Sequence, residues 1–159
     1  MIKNSVFLVF VVIFLSSCVA KRPIVETDTL GLIIRSPYIK TSGNGFYRKG
    51  DNYVNLQLYM AGKLVINYES NTLTCINEKC MTKTMFNKNV FVEPHYGNIM
   101  NDILKSQPIY DAKNLEKTAF GFIQEIAKED KYDINYEVKE NTTTFVDTIN
   151  NVYIKIIRN

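Results

Sequence analysis

Alternation of apolar and polar side chains dominates the middle of the chain. Residues 53–60 and 63–69 each place an apolar side chain at every second position. These side chains are Val54, Leu56, Leu58, Met60, Leu64, Ile66 and Tyr68. A period of two is typical of a β-strand with one buried face. Because Ala61 and Gly62 interrupt the alternation, the two segments are predicted to form a hairpin.

Shorter segments on both sides extend this hairpin into a meander. Residues 43–48 precede it as a short strand, and residues 72–76 follow it as another. Near the C-terminus, residues 132–138, 143–146 and 152–156 alternate in the same way and are separated by turn-forming residues. Strands joined by such short turns are predicted to pair in the antiparallel sense.

The hydrophobic period changes after Pro94. Apolar side chains then recur at spacings of three and four residues, which predicts one amphipathic helix from Tyr96 to Lys105. Its apolar stripe consists of Tyr96, Ile99, Met100, Ile103 and Leu104. A helix this short is marginal alone, so its stripe is expected to pack on the sheet. Residues 115–128 fit a helical and a strand pattern alike, and both alternatives stay open on the pattern.

These patterns together predict a mainly β fold of the α+β type. A single domain is expected over residues 30–159, formed by one antiparallel curved sheet or an incomplete β-barrel with one or two covering helices. One helix cannot cover a sheet of about seven strands. Part of the concave face is therefore expected to stay open as an apolar groove.

The N-terminal segment predicts export. Lys3 is followed by an unbroken apolar run from Val6 to Leu15, as in a secretory signal peptide. The run is too short for the roughly 20 residues of a membrane-spanning helix, which makes a spanning anchor the weaker alternative. Leu15-Ser16-Ser17-Cys18 resembles the bacterial lipobox. Residues 1–17 are therefore predicted to be removed, and residues 18–29 to be a lipidated Cys18 and a tether to the membrane.

The residue after Cys18 bears on the compartment. It is Val19 and not aspartate, the residue that retains lipoproteins at the inner membrane of enteric bacteria. We expect a lipid-anchored protein of the outer membrane that faces the periplasm, with exposure at the cell surface left open.

Composition excludes several classes of function. The 19 basic and 16 acidic residues give a net charge of +3 without a run of like charge, so nucleic acid is not expected as a partner. The chain has one histidine, His95, and no glycine-rich phosphate-binding motif. We therefore predict a protein that is not an enzyme, with no catalytic residue, no metal site and no cofactor.

The two cysteines beyond Cys18 are Cys75 and Cys80. Export places both thiols in an oxidising compartment, and the even count favours a local disulfide between them. A redox-active pair would need a two-residue spacer, whereas four residues separate these two.

Seven segments follow one another in an order typical of a known family. They are Gly45-Phe46-Tyr47-Arg48, Tyr53 to Leu58, Met60-Ala61-Gly62, Ile99 to Pro108, Phe122 to Ile126, Tyr132 to Tyr136, and Val152 to Ile157. In this order they resemble the LolA/LolB family, in particular the LolB-like outer-membrane receptors for lipoproteins. The resemblance implies that Phe120 to Ile126 is a strand.

The resemblance also implies a function. Members of the family bind acyl chains in the concave face of an incomplete barrel and pass lipoproteins into the outer membrane, a hand-over driven by apolar transfer. The residues expected to line such an apolar cavity here are Val54, Leu56, Leu58, Leu64, Ile66, Ile99, Ile103, Phe122, Ile134, Tyr136 and Ile154. Met60 and Ala61 would form a hairpin that dips into the bilayer. The implied partners are the membrane, an acylated lipoprotein or lipid, and a periplasmic carrier protein.

A second hypothesis stands beside this one. An accessory or scaffold lipoprotein of the envelope would fill its concave face with its own side chains and act through protein–protein contacts. Exposed aromatic side chains such as Tyr47, Tyr53 and Tyr59 would then form the binding surface.

Overall fold

The computed structural model describes residues 26–159. Within them, eleven strands form one open, curved antiparallel sheet, which confirms the mainly β prediction. The strands are β1 (Glu26–Arg35), β2 (Lys40–Gly50), β3 (Tyr53–Met60), β4 (Lys63–Ser70), β5 (Thr74–Ile76), β6 (Lys79–Met81), β7 (Leu115–Thr118), β8 (Gly121–Lys128), β9 (Tyr132–Lys139), β10 (Thr142–Asp147) and β11 (Val152–Arg158).

The strand order places the first and last strands side by side. It reads β6-β5-β4-β3-β2-β1-β11-β10-β9-β8-β7, so β6 and β7 are the two edges. Each half is a meander of neighbouring hairpins, and the β1–β11 pair joins the halves through six residue pairs. The segment that fitted both patterns forms β7 and β8, and β8 corresponds to the strand from Phe120 to Ile126 that the family resemblance implied.

The helices differ from the sequence prediction. Helix α1 (Lys83–Phe91) was not predicted, and α2 (Ile99–Leu104) occupies only the middle of the segment predicted from Tyr96 to Lys105. Helix α1 has few apolar side chains and contains several asparagine and lysine residues, so its sequence lacks a clear hydrophobic period of 3.6 residues. The N-cap Thr82 starts this helix by accepting a hydrogen bond from the Met85 amide at 3.2 Å.

Both helices pack on the concave face of the sheet. Phe91 of α1 meets Phe145 of β10 edge to face, with ring centroids 5.4 Å apart. Asn101 of α2 accepts a hydrogen bond from the Tyr68 hydroxyl at 2.7 Å and donates one to Ser70 Oγ at 3.0 Å. These bonds satisfy a buried amide and fix the position of α2 along the sheet.

Arg158 holds the other end of α2. Its guanidinium donates to the Leu104 carbonyl and to Ser106 Oγ, the latter at 2.7 Å, and its carbon lies 5.9 Å from the centre of the Tyr47 ring. A cation is favourable at a helix C-terminus, where the last carbonyls have no partner within the helix. The last strand of the chain therefore fixes a helix that lies about 50 residues earlier.

The first strand corrects the predicted tether. β1 begins at Glu26, so residues 26–29 belong to the sheet and not to a tether. Their side chains are mostly polar and exposed, but their backbone pairs with residues 46–49 of β2. Glu26 also forms an ion pair with Lys49 at 2.7 Å. The signal peptide, Cys18 and the rest of the predicted tether lie outside the described residues.

Candidate functional site

Most of the side chains predicted to line an apolar cavity form a packed core. Eight of them are at most 1% exposed and belong to one hydrophobic cluster: Val54, Leu56, Leu58, Ile99, Ile103, Ile134, Tyr136 and Ile154. Ile66 and Phe122 pack against that cluster and are partly buried. The structure therefore brings ten predicted residues together, with α2 covering the strands.

Leu64 was wrongly assigned to this set. It is 49% exposed and lies outside the core cluster. The pairing of β3 with β4 shifts between Leu58 and Tyr59, so that Leu58 pairs with Ile66 but Tyr59 pairs with Leu64. Such a bulge adds one residue to a strand and moves the following side chains to the opposite face. Simple alternation across the hairpin missed that change.

Four hairpin turns lie at one end of the sheet, which we call the rim. They are residues 36–39, 61–62, 129–131 and 148–151. Their proximity follows from the register, since Arg35 pairs with both Lys40 and Tyr153, and Ile134 pairs with Asp147. β1 runs toward the rim, so its first residue lies at the opposite end of the sheet.

The rim combines exposed apolar side chains with basic ones. Tyr38 (69% exposed), Met60 (52%), Leu64 (49%) and Ile149 (48%) lie in or next to its turns. The tips formed by residues 35–40 and 60–64 contain three basic residues and no acidic one. These are Arg35, Lys40 and Lys63, and none of them forms an ion pair within the described residues. Acidic residues lie at the other two turns, with Glu129 and Asp130 in one of them and the buried Asp147 at the end of β10, next to the other.

A pocket of about 310 Å³ lies between two of these tips. Its lining residues are Ile33, Ile34, Arg35, Lys40, Thr41, Ser42 and Met60. The lining thus combines aliphatic and thioether surface with a guanidinium, an ammonium and two hydroxyl groups. The residues come from β1, β2 and the end of β3, so no single segment of the sequence contains the site. We call it the rim pocket.

The hairpin predicted to dip into a bilayer forms one tip of the rim. Ala61 and Gly62 both have positive φ, at 48° and 77°, as a tight two-residue turn between twisted strands requires. This turn exposes Met60 and, through the bulge, Leu64.

The single histidine lies in an aromatic cluster on the concave side. His95 Nδ1 is hydrogen-bonded to the Tyr110 hydroxyl, and its ring lies 5.2 Å from Tyr132 and 5.4 Å from Phe91. Its Nε2 is buried without a hydrogen-bond partner in the described part of the chain. Burial lowers the pKa of His95, and the negative charges of Asp147 and Glu93 oppose that effect only in part. The histidine is therefore held in its neutral form.

Acidification is expected to destabilise the protein through His95. Because its pKa is lower in the folded state than the unfolded value of about 6.5, its contribution to stability is complete above that pH and is lost as the pH falls below it. Urea unfolding between pH 7.5 and 5 should show a steeper loss of stability in the native protein than in His95→Gln. Burial raises the pKa of Asp102, so the protonation of this residue favours the folded state as the pH falls. Asp102 is present in both proteins, and its effect therefore cancels in the comparison. An equal pH dependence of the free energy of unfolding in the two proteins would contradict the lowered pKa of His95.

The disulfide prediction is confirmed. Cys75 of β5 and Cys80 of β6 are bonded, and they occupy directly opposed positions in the two strands. The bond therefore fixes the hairpin at one edge of the sheet.

Residues 26–159 contain no group of three or more histidine, cysteine or acidic side chains that could hold a metal ion. None of their helices has the length and the apolar character needed to cross a membrane.

Comparison with protein-family models and with curated proteins found no match. The family resemblance therefore continues to rest on the order of segments in the sequence.

Proposed function

We propose that this chain is a lipid-anchored envelope protein that binds acylated, anionic amphiphiles at its rim, in lipid or lipoprotein trafficking to the outer membrane. The rim pocket carries the proposal, because its lining combines apolar side chains with Arg35 and Lys40. A phospholipid has the complementary chemistry, with a negatively charged headgroup joined to an acyl chain.

The charges of the pocket favour an anionic headgroup. Arg35 and Lys40 are directly paired across the β1–β2 hairpin, which places two positive charges on neighbouring strands. A guanidinium matches the paired oxygens of a phosphate or carboxylate, and an ammonium adds a point charge. Thr41 and Ser42 supply hydroxyl donors beside them.

The exposed apolar side chains around the pocket favour a bilayer surface as the source of that amphiphile. Tyr38, Met60, Leu64 and Ile149 are the large apolar side chains of the rim. Apolar side chains flanked by lysine and arginine are typical of protein surfaces that bind anionic membranes. In the proposed function the rim contacts the membrane, and the amphiphile enters the rim pocket from it.

Tryptophan reporters test which part of the domain meets the bilayer. The native chain has no tryptophan, so each substitution gives a single fluorophore. The Met60→Trp and Ile149→Trp variants are prepared without residues 1–17 and with Cys18→Ala, so that no lipid anchor sets the orientation, and are added to phosphatidylglycerol vesicles whose acyl chains carry bromine, a contact quencher. We expect both emissions to be quenched, and the quenching to weaken in phosphatidylcholine vesicles and at high salt.

Phe120 supplies the matched control. It is 66% exposed and lies in the β7–β8 turn, at the end of the sheet opposite the rim. Phe120→Trp should keep its emission in the same brominated vesicles. Quenching at position 120 without quenching at positions 60 and 149 would reject the proposed orientation.

A specific observation favours a second candidate function. The eight fully buried side chains of the predicted cavity are covered by α2 and by one another, as the scaffold hypothesis expects. A scaffold would bind another protein and not a lipid. Tyr47 was wrongly expected on its binding surface, because it is 1% exposed and lies in the core. Unquenched reporters at every position, together with crosslinking of a protein partner through an exposed tyrosine such as Tyr38, would support the scaffold function.

A further inference from the structure

A second pocket lies on the sheet, away from the rim pocket. It has a volume of about 330 Å³ and is lined by Thr29, Leu30, Asn44, Gly45, Phe46, Tyr59 and Asn159. Its lining shares no residue with the rim pocket and none with the predicted apolar cavity. The volume falls in the usual range for small-ligand sites, about 300–1,000 Å³.

An aromatic corner forms one side of this pocket. Phe46 is 46% exposed, and its ring meets the Tyr59 ring edge to face with centroids 6.0 Å apart. Tyr59 packs against the Phe46 ring from the neighbouring strand and restricts its rotation, while nearly half of Phe46 stays exposed. An exposed aromatic ring of this kind binds flat, weakly apolar groups.

Neutral polar groups flank the corner. The Asn44 amide and the Thr29 hydroxyl line the pocket, and neither side chain has a hydrogen-bond partner within residues 26–159. The amide both donates and accepts, as does the hydroxyl. No side chain in the lining carries a charge. The nearby Arg48 guanidinium already donates to Asn55 Oδ1 at 3.0 Å and to Gln57 Oε1 at 3.4 Å.

From these features we infer that the pocket binds a neutral glycan. A pyranose ring offers an apolar C–H face, which stacks on an aromatic ring, and equatorial hydroxyl groups, which bond to amides and hydroxyls. The lining has no basic side chain, which disfavours an anionic ligand. A peptide added as an extra strand is also disfavoured, because β2 lies between β1 and β3 and has no free backbone edge. The inference goes beyond the proposed function, and the two sites stand or fall separately.

Binding of defined oligosaccharides tests the inference. The full-length protein in detergent micelles is titrated by calorimetry with chitotetraose and with cellotetraose, two neutral chains of pyranose rings. We expect saturable binding of at least one of them, and a loss of about tenfold or more in affinity in Phe46→Ala and in Asn44→Ala. Phe46→Tyr, which keeps the aromatic face, should retain binding.

Tyr38→Ala is the matched control, because Tyr38 is a more exposed aromatic residue at the rim. This variant should bind the glycan as the native protein does. Thermal unfolding of each variant verifies that the fold is retained, and Phe46→Tyr keeps the test valid if Phe46→Ala unfolds. Absence of binding by both oligosaccharides, or binding that Phe46→Ala leaves unchanged, would overturn the inference whatever the result of the tryptophan experiment.

Discussion

Gly45→Ala is expected to lower the free energy of unfolding by about 3 kcal/mol, at the upper end of the usual cost of overpacking. A Cβ atom at Gly45 would lie 1.8 Å from the Gln57 carbonyl oxygen and 3.0 Å from the Leu58 Cα. These are backbone atoms of the neighbouring strand, so no side-chain rotation can relieve the clash. β2 and β3 would have to separate at a position where seven residue pairs now hold them together.

Gly97→Ala is the control for this substitution. A Cβ atom at Gly97 would meet only side-chain atoms of Lys83, the nearest at 3.6 Å. Its effect should stay within about 0.5 kcal/mol. Urea unfolding followed by circular dichroism measures both variants. Equal urea midpoints for the two variants would contradict the close approach of β2 to the β3 backbone at Gly45.

Gln124→Ala is expected to cost about 3 kcal/mol, since it leaves several buried polar groups without partners. The Gln124 side chain accepts a hydrogen bond from the Ile109 amide at 2.8 Å and donates to the Ile109 carbonyl at 2.9 Å and the Lys113 carbonyl at 2.8 Å. It is fully buried. One side chain of β8 thus holds residues 109 and 113 of the segment that leads from α2 into β7.

The segment that Gln124 holds has a costly backbone conformation. Tyr110, Asp111 and Ala112 all have φ between 50° and 60°, the left-handed region that residues other than glycine rarely adopt. The Gln124 bonds and the stacking of Tyr110 on Tyr132, at 5.7 Å, offset this cost. Loss of the Gln124 side-chain amide should therefore also break the hydrogen bond between Tyr110 and His95.

The exposed neighbour of Gln124 provides the comparison. Glu125 points away from the core, and Glu125→Ala should change the stability by no more than about 0.5 kcal/mol. Hydrogen exchange at the Ile109 amide reports the local effect and should accelerate in Gln124→Ala only. Slow exchange of that amide in Gln124→Ala would mean that other contacts hold the segment.

The strands that the sequence predicted most clearly are those with a regular local pattern. Alternation identified β3, β4, β9, β10 and β11, and the short turns between them led to the antiparallel arrangement. The β1 strand was not predicted. Its first part, residues 26–29, has polar, exposed side chains and joins the sheet through backbone pairing alone. Backbone pairing leaves no trace in a hydrophobic pattern.

The contacts that fix the helices could not be read from local patterns. Asn101 binds Tyr68 and Ser70, some thirty residues away, and Arg158 binds the end of α2 from the last strand. Helix α1 has too few apolar positions to produce a clear period. In each case a tertiary contact, and not the local propensity, determines the element.

The candidate site was even less predictable. Met60 was assigned correctly to a hairpin tip, but the pocket beside it also requires Ile34 and Lys40 from another hairpin. Their proximity depends on the register of β1, β2 and β3. The bulge in β4 likewise exposed Leu64 against the simple alternation.

Lipid selectivity of the intact protein tests the proposed function most directly. The full-length lipidated protein is purified in mild detergent, mixed with phosphatidylglycerol or with phosphatidylcholine, and analysed by native mass spectrometry. We compare it with Arg35→Gln/Lys40→Gln, and with Lys113→Gln/Lys117→Gln as a charge-matched control away from the rim pocket. The account predicts a bound phosphatidylglycerol that the first variant loses and the second keeps. Absence of bound lipid, or equal binding by all three proteins, would contradict it.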